Sequence, residues 1–102
     1  MARKPQINIE KDLCELLREC YRGSESPVAS KALEAIFSVK GSEIRRAVNT
    51  LRCKGEPICS NIDGYFYAAD QHELDATIAQ LTSRIKKIAD ARDGLLNRFP
   101  VF

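Results

Sequence analysis

Residues 41–67, GSEIRRAVNTLRCKGEPICSNIDGYFY, decide the fold of this chain, because they predict a helix that leads directly into a short β-hairpin. Within the helix, Ile44, Val48 and Leu51 recur at spacings of four and three residues and therefore line one face. The opposite face carries the polar side chains Ser42, Arg45, Arg46 and Asn49. One side of the helix is thus predicted to pack, while the other side stays open to solvent.

Turn residues mark the end of this helix and the hairpin after it. Gly55 is expected at the C-terminal cap, and Pro57 prevents the helix from continuing. Two β-prone runs, residues 58–60 and 65–67, flank the turn at 61–64 and predict antiparallel strands. A basic helix followed by a hairpin is typical of the recognition helix and wing of a winged-helix fold.

Two further helices are predicted upstream, over residues 9–21 and 30–37, from apolar residues at helical spacing. The expected N-caps are Asn8, Ser30 and, for the third helix, Gly41 or Ser42. Only a few residues join the second helix to the third. This is the spacing of a helix-turn-helix, with the arginines on the free face of its second helix.

A long helix with a heptad seam is predicted over residues 71–97. The seam residues, expected to mediate dimerisation, are Leu74, Ile78, Leu81, Ile85, Ile88 and Leu95, with Arg92 at the skipped position. Such a helix is about 40 Å long, whereas a compact body of about 70 residues spans about 30 Å. Self-association would cover the overhanging stripe, with parallel or antiparallel polarity left open. The alternative is that the helix bends or packs back onto the first helix.

Length and composition allow one small domain with an appendage, since the chain has 102 residues of which 44% are apolar. We expect a flexible tail at residues 1–8, a winged-helix domain at 9–69 and a C-terminal dimerisation helix at 70–98. The predicted fold class is α+β and mainly α: a three-helix core with a β-hairpin wing, followed by a long coiled-coil helix.

The sequence has neither an apolar run of the roughly 20 residues that a membrane span needs nor a secretory signal. A cytoplasmic location without membrane contact is therefore expected.

The charge of the chain limits where a nucleic acid could bind. The net charge is only +2, so attraction to phosphate must come from residues 40–54, which hold five lysines and arginines and one acid.

The cysteines and the single histidine do not indicate a metal site or an active site. We expect no metal and no cofactor, and we expect the cysteines to be small buried hydrophobes: Cys14, Cys20, Cys53 and Cys59. His72 has no nucleophile beside it in the sequence, and the acids after it are spread along a helix. An enzymatic function is therefore not predicted.

The run at residues 42–52, followed by Gly55, 57–60 and 64–67, resembles prophage-type winged helix-turn-helix DNA-binding proteins of bacteria. It is similar, more loosely, to the N-terminal domain of biotin operon repressors. The shared pattern is a helix that ends in V-N-x-L-R-x-x-G, then a short strand, then G-Y. The resemblance covers residues 9–69 and the long helix, and it implies a winged-helix fold, double-stranded DNA as the ligand and no enzymatic activity.

If the third helix enters a major groove, its exposed residues have distinct roles. Arg45 and Arg46 can grip guanine edges and Asn49 an adenine edge. The expected phosphate contacts are Lys40, Ser42, Thr50 and, from the wing, Asn61. The predicted function is a double-stranded DNA-binding protein, dimeric, acting as a transcriptional regulator or a phage accessory factor. The alternative is a protein-interaction module in which the heptad helix, with Ile62 at the wing, recruits a protein partner.

Overall fold

The chain forms four helices and one antiparallel hairpin within residues 8–98, the part that the computed structural model describes. The elements in chain order are α1 (Glu10–Cys20), α2 (Ser30–Phe37), α3 (Gly41–Cys53), β1 (Ile58–Asn61), β2 (Gly64–Tyr67) and α4 (Gln71–Leu96). This order confirms a mainly helical fold with a two-stranded hairpin and a long C-terminal helix. The tail predicted at residues 1–8 lies outside the described residues except for Asn8.

The helices begin close to the predicted residues, but the three predicted upstream N-caps are wrong. The N-cap of α1 is Ile9, not Asn8, although Asn8 Oδ1 accepts a hydrogen bond from Glu10 N at 3.0 Å. Ser30, in contrast, is the first residue of α2, and its hydroxyl donates to Glu34 Oε2 at 3.2 Å. Lys40 precedes α3, and no side chain caps either α2 or α3. Tertiary packing can set where a short helix begins without a side-chain cap.

The core lies where α1, α2 and α3 meet the hairpin. Its largest fully buried side chains are Leu13, Leu17, Leu33, Ile44, Val48, Ile58 and Cys59. Burying each large aliphatic side chain stabilises the fold by about 1.5–3 kcal/mol. Because α3 contributes its whole apolar face to this core, the rotation of α3 about its own axis is fixed, and its polar face must point outward.

The segment between α1 and α2 is hydrogen-bonded to β2. Val28 N donates to Tyr65 O at 2.8 Å, and Tyr65 N donates to Val28 O at 2.9 Å. Nearer to α1, Tyr67 N donates to Tyr21 O and Gly23 N donates to Tyr67 O, both at 2.8 Å. β2 therefore pairs with β1 on one edge and with this segment on the other, which anchors the hairpin to the helical core.

A capping box begins α4 and joins it to the loop after α1. Asp70 Oδ1 accepts from Glu73 N, and Glu73 Oε1 accepts from Ala69 N, both at 2.9 Å. Glu73 Oε2 accepts from Ser24 N at 2.7 Å. The backbone donors on Ala69 and Ser24 favour the ionised carboxylate and lower the pKa of Glu73. Glu73 thereby connects α4 to the loop after α1.

The first half of α4 packs mainly on β1. Leu74 joins a small apolar cluster with Cys59 and Phe66. Thr77 is buried, and its hydroxyl accepts from Ser60 N at 3.3 Å. The alternative in which this helix packs back onto α1 is not what the structure shows, because α4 makes its contacts mainly with the hairpin.

The second half of α4 extends away from the body. Ile85 is 67% exposed, Ile88 64% and Leu95 76%. The radius of gyration is 17.2 Å, whereas a compact chain of this length has a value of about 13 Å. The overhang expected from the sequence is therefore present.

The cysteines divide into two buried and two exposed thiols, and all four are free. Burial raises the pKa of the Cys14 and Cys59 thiols. The prediction of a buried position is wrong for Cys20 and Cys53. Each of these two is the last residue of its helix, where the helix has passed the edge of the core.

Candidate nucleic-acid interface

The two faces of α3 are sharply divided. Ile44, Ala47, Val48 and Leu51 are at most 5% exposed, whereas Ser42, Arg45, Arg46 and Asn49 are all exposed. We call these four exposed residues the reading face. The amphipathic pattern predicted for this helix is thereby confirmed, and the reading face occupies the first three turns of α3, away from the hairpin end.

Arg46 is loosely paired within α3. Its Nη1 lies 3.7 Å from Glu43 Oε1, and the Arg46 side chain remains 75% exposed. Exposed pairs of this kind contribute about 0–1 kcal/mol. A phosphate or a base edge therefore competes easily with Glu43 for this guanidinium.

Arg45 and Lys40 form no salt bridge within residues 8–98, but an acid from α2 lies near the start of α3, on the same side of Gly41 as Arg45. Arg45 Nη1 and Glu34 Oε2 both flank Gly41, at 3.6 and 3.2 Å from where a Cβ on that residue would be. The Glu34 carboxylate thus lies near the positive N-terminal end of α3, where a negative charge is favoured. Sequence reasoning missed this acid, because the proximity of Glu34 to Gly41 depends on the angle between two helices.

Arg52 is turned away from the reading face and supports the hairpin. Its Nε donates to Ile58 O at 2.8 Å, and its Nη2 donates to Ser60 Oγ at 3.2 Å. Burial lowers the pKa of this guanidinium. Lys54 is also engaged, since its Nζ lies 3.2 Å from Glu10 Oε1 in α1. The positive charges left exposed on α3 and its N-cap are therefore Lys40, Arg45 and the loosely paired Arg46.

The tip of the hairpin offers little to a phosphate. Asn61 Oδ1 accepts from Asp63 N at 2.9 Å and from Gly64 N at 3.2 Å, while its Nδ2 donates to Ser24 O at 3.3 Å. The side chain of Asn61 thus shapes the turn and must break a hydrogen bond to reach DNA. Ile62 at the tip is 99% exposed, and Asp63 beside it adds a negative charge.

Two residues lie next to the reading face. Thr50 follows Asn49 in the helix and is half-buried. Cys53 is exposed seven residues after Arg46, which places both side chains on the same stripe of α3. The helical period predicts this exposure, whereas the usual burial of cysteine predicts the opposite.

The predicted dimerisation residues lie along one stripe of α4 with graded exposure. Leu74 and Leu81 are half-buried, and Ile78 is 49% exposed. The exposure rises beyond the body, at Ile85, Ile88 and Leu95. Beside the first half of the stripe lies an apolar groove of about 240 Å³ between α4 and the loop before β1, with Pro57 and Ile58 on its other wall.

Comparisons with protein-family models, with curated proteins and with solved structures find no match for this chain. Among the described residues, His, Cys, Asp and Glu side chains form no group of three or more that could hold a metal ion. None of the helices α1 to α4 has the length and apolar character needed to cross a bilayer.

Proposed function

We propose that this chain is a winged-helix protein that binds double-stranded DNA through α3 and forms a homodimer through α4, as a transcriptional regulator or a phage accessory factor. The observation that carries the proposal is the reading face: two arginines and an asparagine project from a helix whose opposite face is locked in the core. The pairing of Val28 with Tyr65 supports the winged-helix assignment, because it adds a third, one-residue strand between α1 and α2.

The chemistry of the reading face suits base edges in a major groove. An arginine fork can donate to guanine O6 and N7, and the Asn49 amide can pair with adenine N6 and N7. Each good bidentate contact discriminates by about 1–3 kcal/mol against the wrong base. Arg45 and Asn49 are one helical turn apart, so neighbouring base pairs are within their joint reach.

Contacts with the phosphate backbone of the DNA would fix the position of α3 in the groove. Lys40 and Ser42 lie at the N-terminal end of α3, and Thr50 lies on its flank. Asn61 stays a candidate on the wing, although its amide must leave Ser24 O to contribute. With so few exposed cations on α3, we expect one body to bind non-specific duplex weakly and a pair of bodies to bind more tightly.

A matched pair of double variants tests the proposal. Arg45→Ala with Arg46→Ala and Lys11→Ala with Arg18→Ala each remove two exposed positive charges, but the first pair lies on α3 and the second on α1. Fluorescence anisotropy with a labelled random-sequence duplex, titrated at several salt concentrations, measures affinity and its salt dependence. We expect the α3 variant to bind about 10- to 100-fold more weakly with a flatter salt dependence, and the α1 variant to stay close to wild type. Equal effects of the two variants, or no salt-sensitive binding by the wild type, would refute DNA binding by α3.

A protein-interaction module is the second candidate, and the fully exposed Ile62 favours it. An isoleucine at a wing tip without lysine or arginine suits an apolar protein surface better than a phosphate backbone. In this case the helical body is a scaffold, and the duplex titration shows no salt-sensitive binding.

A further inference from the structure

A cleft of about 330 Å³ opens between the start of α2, the hairpin and α4. Arg52 reaches the cleft from α3 and Arg84 reaches it from α4, while the hairpin contributes Ser60, Asp63 and Tyr65. The volume falls within the range of pockets that hold small ligands. The fold therefore brings two guanidinium groups from distant parts of the chain to one cleft, and no residue of the reading face lines it.

The positive charge of Arg52 is not neutralised by a salt bridge within residues 8–98. Its side chain is half-buried, and its Nε and Nη2 donate to two uncharged acceptors, Ile58 O and Ser60 Oγ. Burial lowers the pKa of Arg52, and the charge of Arg84 lowers it further. A guanidinium has five N–H donors, and these two hydrogen bonds leave donors for a ligand.

Arg84 likewise forms no salt bridge within residues 8–98, and its side chain is exposed on α4. Two like charges that face one cleft repel each other, and an anion between them would attract both. Asp63 is the acid that lines the cleft, so the two arginines outnumber it. Ser30 also lines the cleft, but its hydroxyl already donates to Glu34 Oε2.

We propose that this cleft binds the phosphate group of a small phosphorylated molecule, held between Arg52 and Arg84. Ser60 Oγ accepts from Arg52 and keeps its own hydrogen to donate to the ligand. A phosphate monoester carries a charge of about −1.5 to −2 near neutral pH, which matches two guanidinium groups, whereas one arginine fork satisfies a carboxylate. The site is independent of DNA binding by α3, and a bound phosphate would link the hairpin to α4 where that helix leaves the body.

An NMR titration of the full-length protein tests the site with inorganic phosphate as the probe. At constant ionic strength and mildly alkaline pH, chloride is exchanged for phosphate and, in a parallel series, for acetate. We expect phosphate to shift the backbone amide signals of residues 60–65 in a saturable manner and acetate to leave them nearly unchanged. Arg84→Gln should weaken phosphate binding about 10-fold, because charge-assisted hydrogen bonds are lost.

Lys87→Gln is the matched control, because it removes one exposed charge from the same part of α4 but does not line the cleft. This variant should bind phosphate as the wild type does. The absence of a saturable shift at residues 60–65, an equal response to acetate, or equal weakening by Arg84→Gln and Lys87→Gln would each overturn the phosphate site.

A duplex titration of the same variants in phosphate-free buffer separates a small ligand from the DNA backbone. We expect Arg84→Gln to bind duplex as Lys87→Gln does. A loss of duplex affinity confined to Arg84→Gln would assign the cleft to a backbone phosphate and overturn the small ligand. Because the phosphate titration contains no DNA, failure of the proposed function would leave its result intact.

Discussion

Gly64 begins β2 at a point where the backbone of Val28 leaves no room for a side chain. Its φ is +146°, and a Cβ on this residue would overlap Val28 O and lie 2.9 Å from Ala29 N. We predict that Gly64→Ala forces the segment around Val28 away from β2. Two hydrogen bonds between Val28 and Tyr65 would weaken, at about 0.5–1.5 kcal/mol each, in addition to about 1–2 kcal/mol of backbone strain. The expected loss of unfolding free energy is about 3 kcal/mol.

Alanine substitutions at two other glycines separate the cost of the steric overlap from the cost of the backbone strain. Gly55 has a φ of +94° but no atom within 4 Å of the place where a Cβ would lie, so Gly55→Ala should cost only the strain, about 1–2 kcal/mol. Gly94 is exposed inside α4 with open space around it, and Gly94→Ala should stabilise the helix by up to about 1 kcal/mol. Urea unfolding followed by circular dichroism, at one fixed protein concentration, gives the three values. A loss for Gly64→Ala no greater than that for Gly55→Ala would refute the role of the Val28 contact.

Three further predictions concern other parts of the fold. The pKa of Glu73 is lowered in the folded state. Its carboxylate should therefore stabilise the fold above the unfolded pKa of about 4.3 and cease to do so as the pH falls through the folded pKa. The difference in unfolding free energy between wild type and Glu73→Gln, measured by urea unfolding, should vanish in acid. A thiol reagent should modify two cysteines in the native protein and all four in urea, and four fast thiols in the native state would contradict the buried positions of Cys14 and Cys59. A chain ended after Ser83 should fold and be monomeric by light scattering, since it keeps Leu74 and Thr77 on the hairpin but lacks the distal stripe; a dimer would place the interface elsewhere.

The sequence predicts the elements well where one chemical pattern dominates. The face of α3 follows from the spacing of Ile44, Val48 and Leu51, because a helix that buries these three must expose the residues opposite them. The hairpin can be predicted from the turn residues that lie between two β-prone runs. The overhang of α4 follows from its length alone, since no body of this size can cover it.

Features that depend on contact between distant segments could not be predicted in the same way. Val28 pairs with Tyr65 as a single residue, too short to leave an alternating pattern in the sequence. Glu73 hydrogen-bonds to Ser24, 49 residues away. Arg52 sits at the boundary between the two faces of α3, so its direction was decided by acceptors on the hairpin, Ile58 O and Ser60 Oγ.

These tertiary contacts also bear on how the molecule would bind DNA. Arg52 and Lys54 are engaged within the domain and the hairpin tip is acidic, so α3 and its N-cap offer a duplex about three cations, Lys40, Arg45 and the loosely paired Arg46. Since log K falls with log salt at about −0.9 per neutralised phosphate, one body would show a slope of roughly −3 and a homodimer about twice that value. Affinity from so few contacts would be low, and in the proposed homodimer a second body would raise it at the effective concentration set by α4. The long helix is therefore as necessary to the proposed function as the reading face, because the charge that α3 commits to its own fold has to be replaced by a second copy.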